Sequence, residues 1–156
     1  MLWAGGDRAR AGGEDISKTA WSLDGFHWQI VRNQAGQPYM FPEMPRTIAN
    51  PPLECVYRFS AHDSQRMYIG ETDSLTRRLD DYRSAQPPTN AQVRQWLSGG
   101  DAPRIRLYVL RFSPFLLGRY EVSEGDLGDP NVRRMLAQTM TVFYRRRGAS
   151  AISEHA

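Results

Sequence analysis

The sequence predicts an α+β fold, with a small antiparallel or mixed sheet flanked by helices and preceded by an N-terminal extension. Short runs in which apolar and polar residues alternate, rich in tyrosine and valine, indicate strands. Apolar residues three and four positions apart indicate a long helix near the C terminus. These patterns follow one another as strand, strand, helix, helix, strand, helix, and 156 residues with 40% hydrophobic residues suffice for one core.

The chain divides by composition into three segments. Residues 1–20 are rich in glycine, alanine and charge, which is typical of a flexible tail. Residues 21–53 contain the strand-like run FHWQIVRN and a proline-rich apolar stretch, and we expect this extension to pack on the core. Residues 54–156 contain the remaining strands and helices and form the predicted main domain.

Each element of the main domain has a local signal. The runs ECVYRFSA and RMYIGE flank the polar turn HDSQ and predict a β-hairpin. Helices are predicted over about 75–84, behind polar capping residues, and over the run AQVRQWLSGG. RIRLYVLRFS is the clearest strand, and a short strand is predicted at 120–122. Asp129 is the predicted cap of a final helix over about 130–147.

Composition argues against several classes of protein. No apolar run approaches the roughly 18 residues that a membrane span needs. The first residues lack the apolar segment of a signal peptide, so we expect a cytoplasmic protein with no membrane partner. Cys55 is the only cysteine, which excludes an internal disulfide and a cysteine-based zinc site, and we expect it to be a core residue.

The positive charge of the chain is carried almost entirely by arginine. The net charge is +3 with a pI near 9.3, and Lys18 is the only lysine. Because the guanidinium group is a planar fork that holds phosphate by two hydrogen bonds, this composition is compatible with a nucleic-acid partner. A GC-rich coding sequence would produce the same bias, so both interpretations stay open here.

Three tyrosines and one arginine are gathered within a short span. Tyr57 and Tyr68 lie on the two hairpin strands, where cross-strand neighbours are close. Arg78 and Tyr82 are four positions apart and share one helix face. If the hairpin packs on that helix, we expect the four side chains to line one concave surface. Such a group can bind a phosphate, order a water molecule and move a proton.

This stretch resembles the GIY-YIG nuclease superfamily. The run CVY, which ends at Tyr57, corresponds to the first element of the family motif, and YIG, which begins at Tyr68, matches the second in full. Arg78 follows at the family's spacing. Tyr82 takes the place of a histidine or tyrosine one turn later, as in the nuclease domain of the UvrC repair proteins. The resemblance covers roughly residues 54–147 and implies a DNA endonuclease of that fold.

The resemblance also implies how the site works. Family members hydrolyse phosphodiester bonds with one divalent cation, Mg²⁺ or Mn²⁺. Tyr57 is then the candidate general base or water-positioning residue, and Tyr68 contacts the phosphate or the attacking water. Arg78 clamps the phosphate, and Tyr82 positions the phosphate or the water shell of the metal.

Family members of this small size also indicate a biological role and a binding partner for the chain. They are type II restriction enzymes that act as oligomers on palindromic sites. Double-stranded DNA is therefore the expected partner, and a homodimer is one expected arrangement. The target sequence and the choice between restriction and repair stay open.

The metal position departs from the family pattern. Family members carry the metal-binding Glu on the last helix, and this position falls on Ala137, which has no oxygen donor in its side chain. Gln138 is neutral, while Glu121 and Glu124 precede the helix on a loop. One explanation is that an original Glu was replaced, which leaves an inactivated endonuclease. The other is a natural, non-catalytic module that binds nucleic acid.

Six arginines are candidates for phosphate contacts in the DNA complex. They are Arg83, Arg94, Arg104, Arg145, Arg146 and Arg147. The last three also fit an arginine-rich helix C terminus that complements the helix dipole, and this alternative is equally consistent with the sequence.

Overall fold

The computed structural model describes residues 24–61, 65–85 and 89–153. Within this part of the chain it contains a mixed five-stranded sheet and three helices, which confirms the predicted α+β class. The predicted tail over 1–20 and most of the predicted turn HDSQ lie outside the described residues. No helix in the described ranges is both long and apolar enough to cross a membrane.

Seven strands and three α-helices make up the described chain. The strands are β1 (Phe26–Ile30), β2 (Cys55–Ala61), β3 (Arg66–Thr72), β4 (Ile105–Phe112), β5 (Phe115–Leu117), β6 (Tyr120–Val122) and β7 (Ser150–Ser153). The helices are α1 (Leu75–Arg83), α2 (Ala91–Ser98) and α3 (Pro130–Arg146).

The main sheet has the strand order β1-β4-β2-β3-β7. β2 pairs antiparallel with both β3 and β4, which confirms the predicted hairpin, whereas β3 pairs parallel with β7. β5 and β6 form a separate two-stranded sheet. The sequence patterns predicted β6 but missed β5 and β7. Both missed strands are too short for a clear alternation of apolar and polar residues, and pairing with a neighbouring strand defines them.

Polar caps set the helix boundaries close to the predicted positions. Ser74, Asn90 and Asp129 precede the three helices, and the side chain of each accepts a hydrogen bond from a backbone N–H of the first turn. Pro130 occupies the first position of α3, where its missing N–H costs nothing. Gly148 adopts a φ of +87° just beyond α3, a conformation that favours glycine at a helix end.

The chain forms two compact units. The smaller unit comprises Met1–Gln29 and Leu110–Asp126. In its described part, the Phe26 ring packs against the rings of Phe112 and Phe115, with centroid separations of 5.3 and 5.2 Å. The larger unit comprises Ile30–Val109 and Leu127–Ala156 and contains the four residues singled out in the sequence.

The sheet of the larger unit has two differently covered faces, because successive side chains of a strand point to opposite sides. We call the side that carries Tyr57 and Tyr68 the tyrosine face. Its side chains form one core cluster with residues of α1, α2 and the extension. We call the side that carries Arg58 and Glu71 the α3 face. These two side chains contact residues of α3.

The extension contributes directly to the core of the tyrosine face. Val31, Tyr39 and Ile48 are buried and belong to the same cluster as Tyr57. The phenol of Tyr39 donates to the backbone carbonyl of Glu43 at 2.8 Å, which ties the irregular segment together. Burial raises the pKa of Tyr39 far above its usual range, so this phenol stays protonated as a donor.

Candidate functional site

The structure brings the three predicted tyrosines together on the tyrosine face. The ring centroids of Tyr57 and Tyr68 are 6.3 Å apart, and those of Tyr68 and Tyr82 are 6.2 Å apart. The hydroxyl oxygens of Tyr57 and Tyr82 lie 3.3 Å apart and form a buried hydrogen bond. Residues from β2, β3 and α1 therefore converge as the spacing in the sequence predicts.

Gly70 provides the space for this arrangement. Tyr57 lies opposite Gly70 in the antiparallel pairing of β2 and β3. A Cβ atom at position 70 would stand 2.5 Å from the Tyr57 hydroxyl oxygen and 2.6 Å from its Cζ atom. The glycine of the YIG run is therefore required by the close approach of a phenol and not by a positive φ.

Replacing Gly70 by alanine is expected to destabilise the protein by about 1–3 kcal/mol, the usual cost of overpacking a dense core. The fully buried Tyr57 ring cannot move aside without disturbing Phe59, whose ring packs edge-on against it. Urea unfolding would measure the change. Gly100→Ala is the matched control, because a Cβ there meets no atom within 4 Å. Equal stability of the two variants would contradict this account of Gly70.

Arg78 lies on α1 one turn before Tyr82 and is partly buried. Leu75 and Leu79 on the same helix are fully buried and anchor α1 to the core. This packing fixes the backbone beneath Arg78 and Tyr82 before any ligand arrives.

The phenols do not line an open surface, in contrast to the concave surface expected from the sequence. Tyr57, Tyr68 and Tyr82 are 0, 1 and 3% exposed, respectively. Phe59 packs edge-on against both Tyr57 and Tyr82, and α1 closes directly over the sheet. Arg78 is the only one of the four residues that is partly exposed, and its Nε and Nη1 atoms are themselves buried.

Position 137 lies on the other side of the sheet. Ala137 is fully buried, and Arg133, one turn earlier on α3, donates to Glu71 at 2.6 Å. Glu71 and Tyr68 are three positions apart on β3, so their side chains point to opposite faces. The structure therefore does not bring the predicted metal position and the phenols together.

The donor groups of the described residues do not fit the Mg²⁺ or Mn²⁺ that the resemblance implies. Such ions take several oxygen ligands, usually including a carboxylate. The described ranges contain no group of three or more His, Cys, Asp or Glu side chains placed to hold a metal. Glu71 is occupied by Arg133, and Glu124 pairs with Arg111 at 2.9 Å. Glu121, the other glutamate shortly before α3 in the sequence, lies on β6.

Three of the arginines predicted to contact DNA have structural partners within the protein. Arg83 donates to the backbone carbonyls of residues 41–43 and so joins α1 to the extension. Arg94 donates to the carbonyl and hydroxyl oxygens of Thr89, both at 2.7 Å. Arg104 forms an exposed ion pair with a nearby aspartate. DNA contacts by these three residues stay a prediction.

The other three arginines lie at the end of α3. Arg145 donates to the carbonyl of Ala151 at 2.6 Å, and the guanidinium of Arg147 lies 3.3 Å from the centroid of the Phe143 ring. Arg146 is exposed and has no hydrogen bond or ion pair to another described residue. Part of this basic cluster is therefore available to a partner.

The sequence patterns did not predict the buried ion pair between Glu71 and Arg133. Both side chains are 8% exposed, and Arg133 also donates to the backbone carbonyl of Leu127 at 2.8 Å. A signal was present in the sequence. Arg133 falls on the apolar stripe of α3, one turn from Leu136 and Ala137, and a charge at a core position usually has a buried partner.

Cys55 is a core residue, as predicted. Its side chain is buried as a free thiol. Burial raises the pKa of this thiol to about 12, so it stays protonated near neutral pH. Because the thiolate is the nucleophilic form, Cys55 is not a candidate nucleophile.

No family model, curated protein or solved structure matches this chain. The resemblance to GIY-YIG nucleases therefore rests on the motif residues between Cys55 and Tyr82 in the sequence.

Proposed function

We propose that this chain binds double-stranded DNA through a phosphate-directed site of the GIY-YIG endonuclease type, on a GIY-YIG-like fold. In the sequence as it stands, hydrolysis is weak or absent. The observation that carries the proposal is the convergence of Tyr57, Tyr68 and Tyr82, with Arg78 one turn from Tyr82 on an anchored helix.

Arg78 supplies a guanidinium group, which can neutralise the negative charge of a phosphodiester. Its guanidinium offers a positive charge and several N–H donors in one plane, which match two phosphate oxygens. The buried hydrogen bond between Tyr57 and Tyr82 fixes the end of α1 on the sheet. The phenols thus hold the helix that positions Arg78.

Two versions of this function differ in catalysis. An endonuclease of the type II restriction kind is favoured by the presence of all four motif residues. A non-catalytic module is favoured by Ala137, which is enclosed on the α3 face, and by the lack of a metal-binding set of carboxylates in the described residues. The non-catalytic version explains the alanine at position 137 without assuming that an original glutamate was replaced.

DNA binding and cleavage by the unaltered chain test the proposal. Anisotropy of a labelled duplex of about 30 base pairs is expected to show binding that weakens steeply with salt, because arginine contacts release counterions from phosphate. Supercoiled plasmid with Mg²⁺ or Mn²⁺ is expected to stay intact. If the unaltered chain binds no duplex, the proposal is wrong. Efficient nicking would establish the endonuclease and show that its metal ligands lie elsewhere.

Arg78→Ala is expected to weaken duplex binding about tenfold, roughly the net contribution of one hydrogen bond to a charged group. Arg77→Ala is the matched control, since Arg77 is the adjacent arginine on α1 and forms an exposed ion pair with Asp73. Its binding is expected to change less than that of Arg78→Ala. Equal losses in the two variants would show that Arg78 contributes only general charge.

A further inference from the structure

The outward side of α3 carries a continuous row of exposed side chains, which we call the α3 outer stripe. These residues recur at intervals of three and four positions, so they follow one side of a helix. The members are Asn131, Arg134, Gln138, Val142, Arg145 and Arg146. The opposite side of α3 packs on the sheet through Leu136, Ala137 and Met140, which are 0 to 2% exposed.

The α3 outer stripe has a strongly one-sided charge. The 17 residues of α3 include arginines but no aspartate or glutamate. Asp129, just before the helix, is engaged as its cap. Glu71 beneath the helix is 8% exposed and bound to Arg133, and the Nε atom of the stripe residue Arg134 lies 4.0 Å from its second carboxylate oxygen. Acidic and basic residues three or four positions apart stabilise an exposed helix face, and α3 has no such pair within it. The composition of this face instead complements an anionic partner.

We propose that the α3 outer stripe binds in the major groove of double-stranded DNA. This inference rests on the DNA binding of the proposed function and not on the Arg78 site, because α1 and α3 cover opposite faces of the sheet. Asn131 and Gln138 provide amide groups of the kind that pair with adenine, and Arg134 provides the fork that pairs with guanine. Arg145 and Arg146, at the end of the helix, contact phosphates. Base recognition is thereby assigned to α3, on the side of the sheet opposite the phenols.

Val142 indicates that the α3 outer stripe contacts base edges as well as phosphates. This apolar side chain is 51% exposed, one turn after Gln138 and in the middle of an otherwise polar row. Apolar side chains in such positions contact the methyl group of thymine in the major groove.

The length and diameter of α3 also favour duplex DNA over duplex RNA as the partner. From Asn131 to Arg146 the helix is about 22 Å long, with a diameter of about 10–12 Å including side chains. The major groove of B-form DNA is about 12 Å wide and accepts such a helix. The major groove of duplex RNA is deep and narrow and does not admit side chains. The stripe therefore fits DNA.

A charge-matched pair of double variants of the full chain tests the inference. Arg134→Gln with Arg146→Gln removes two charges from the stripe. Arg32→Gln with Arg46→Gln removes two exposed charges from the extension, whose core residues pack on the tyrosine face. The stripe variant is expected to bind a mixed-sequence duplex at least tenfold more weakly. Its salt slope is expected to fall by about 1–2, given about 0.9 per lost phosphate contact. The control is expected to keep both values.

Base recognition is tested by selection from a randomised duplex. Gln138→Ala and Asn131→Ala are expected to change the selected sequence, because contacts to bases determine which sequence is bound. Affinity for an arbitrary duplex is expected to change less than about threefold, because contacts to phosphates supply most of that affinity. Circular dichroism and thermal melting check that each variant is folded. If the variants select the same sequence as the unaltered chain, the stripe does not read bases and the inference is wrong.

Other outcomes separate this inference from the function on which it rests. If the unaltered chain binds no duplex, both fail. If it binds DNA and the stripe variant binds equally well, the DNA lies elsewhere, and the inference fails while the proposed function stands. Tighter binding to duplex RNA than to duplex DNA would also overturn it.

Discussion

Replacing Arg133 by alanine is expected to lower the free energy of unfolding by about 3–5 kcal/mol, the usual cost of removing one partner of a buried ion pair. The guanidinium donates to Glu71 at 2.6 Å and to the carbonyl of Leu127 at 2.8 Å. Its loss leaves the Glu71 carboxylate buried without this partner. Because a domain of this size is stable by only about 5–15 kcal/mol, the variant is expected to be near the limit of folding.

Two further variants isolate the cause. Arg134→Ala removes the adjacent arginine, which is 54% exposed and 4.0 Å from Glu71, and we expect a change within about 0.5 kcal/mol. Glu71→Leu combined with Arg133→Met removes both charges and fills the space, so it is expected to recover most of the loss. Urea unfolding followed by circular dichroism measures all three. A double variant no more stable than Arg133→Ala would show that the carbonyl contacts of Arg133, and not the ion pair, are what matters.

Ala137→Glu is expected to lower the free energy of unfolding by several kcal/mol, because a charged group without room or a dedicated partner enters the core. Ala137 is fully buried on the α3 face, and Arg133, one turn away on α3, is already bound to Glu71. Gln138→Glu is the control: the same side chain enters at the adjacent position, which is exposed. We expect the control to unfold within about 0.5 kcal/mol of the unaltered chain.

Catalysis by the Ala137→Glu variant is a separate measurement. The family resemblance alone predicts that a glutamate here creates a metal site. The structure places residue 137 across the sheet from the phenols, so we expect no Mg²⁺-dependent nicking of plasmid by the folded fraction of this variant. Nicking that is abolished by Arg78→Ala would show that position 137 and Arg78 act on the same phosphate. The inactivated-endonuclease explanation would then be correct.

Much of the candidate site could be predicted because its signals are local in sequence. Tyr68 and Gly70 lie on one short strand, and Arg78 and Tyr82 share a helix face through their spacing alone. The burial of the phenols could not be predicted in this way. It depends on Phe59 and on the extension residues that pack on the same core, and their positions follow from contacts distant in sequence.

By itself the sequence determined the α+β class, the β2–β3 hairpin, the caps of the helices and the gathering of the tyrosines. These features could be predicted because periodicity, capping and turn formation each depend on only a few neighbouring residues. The tertiary structure alone decided which side of the sheet each helix covers. This choice put Ala137 opposite the phenols, paired Arg133 with Glu71 and left the outer side of α3 exposed. An amphipathic helix pattern shows that one face is buried, but not against which surface, since burial of apolar area is not directional.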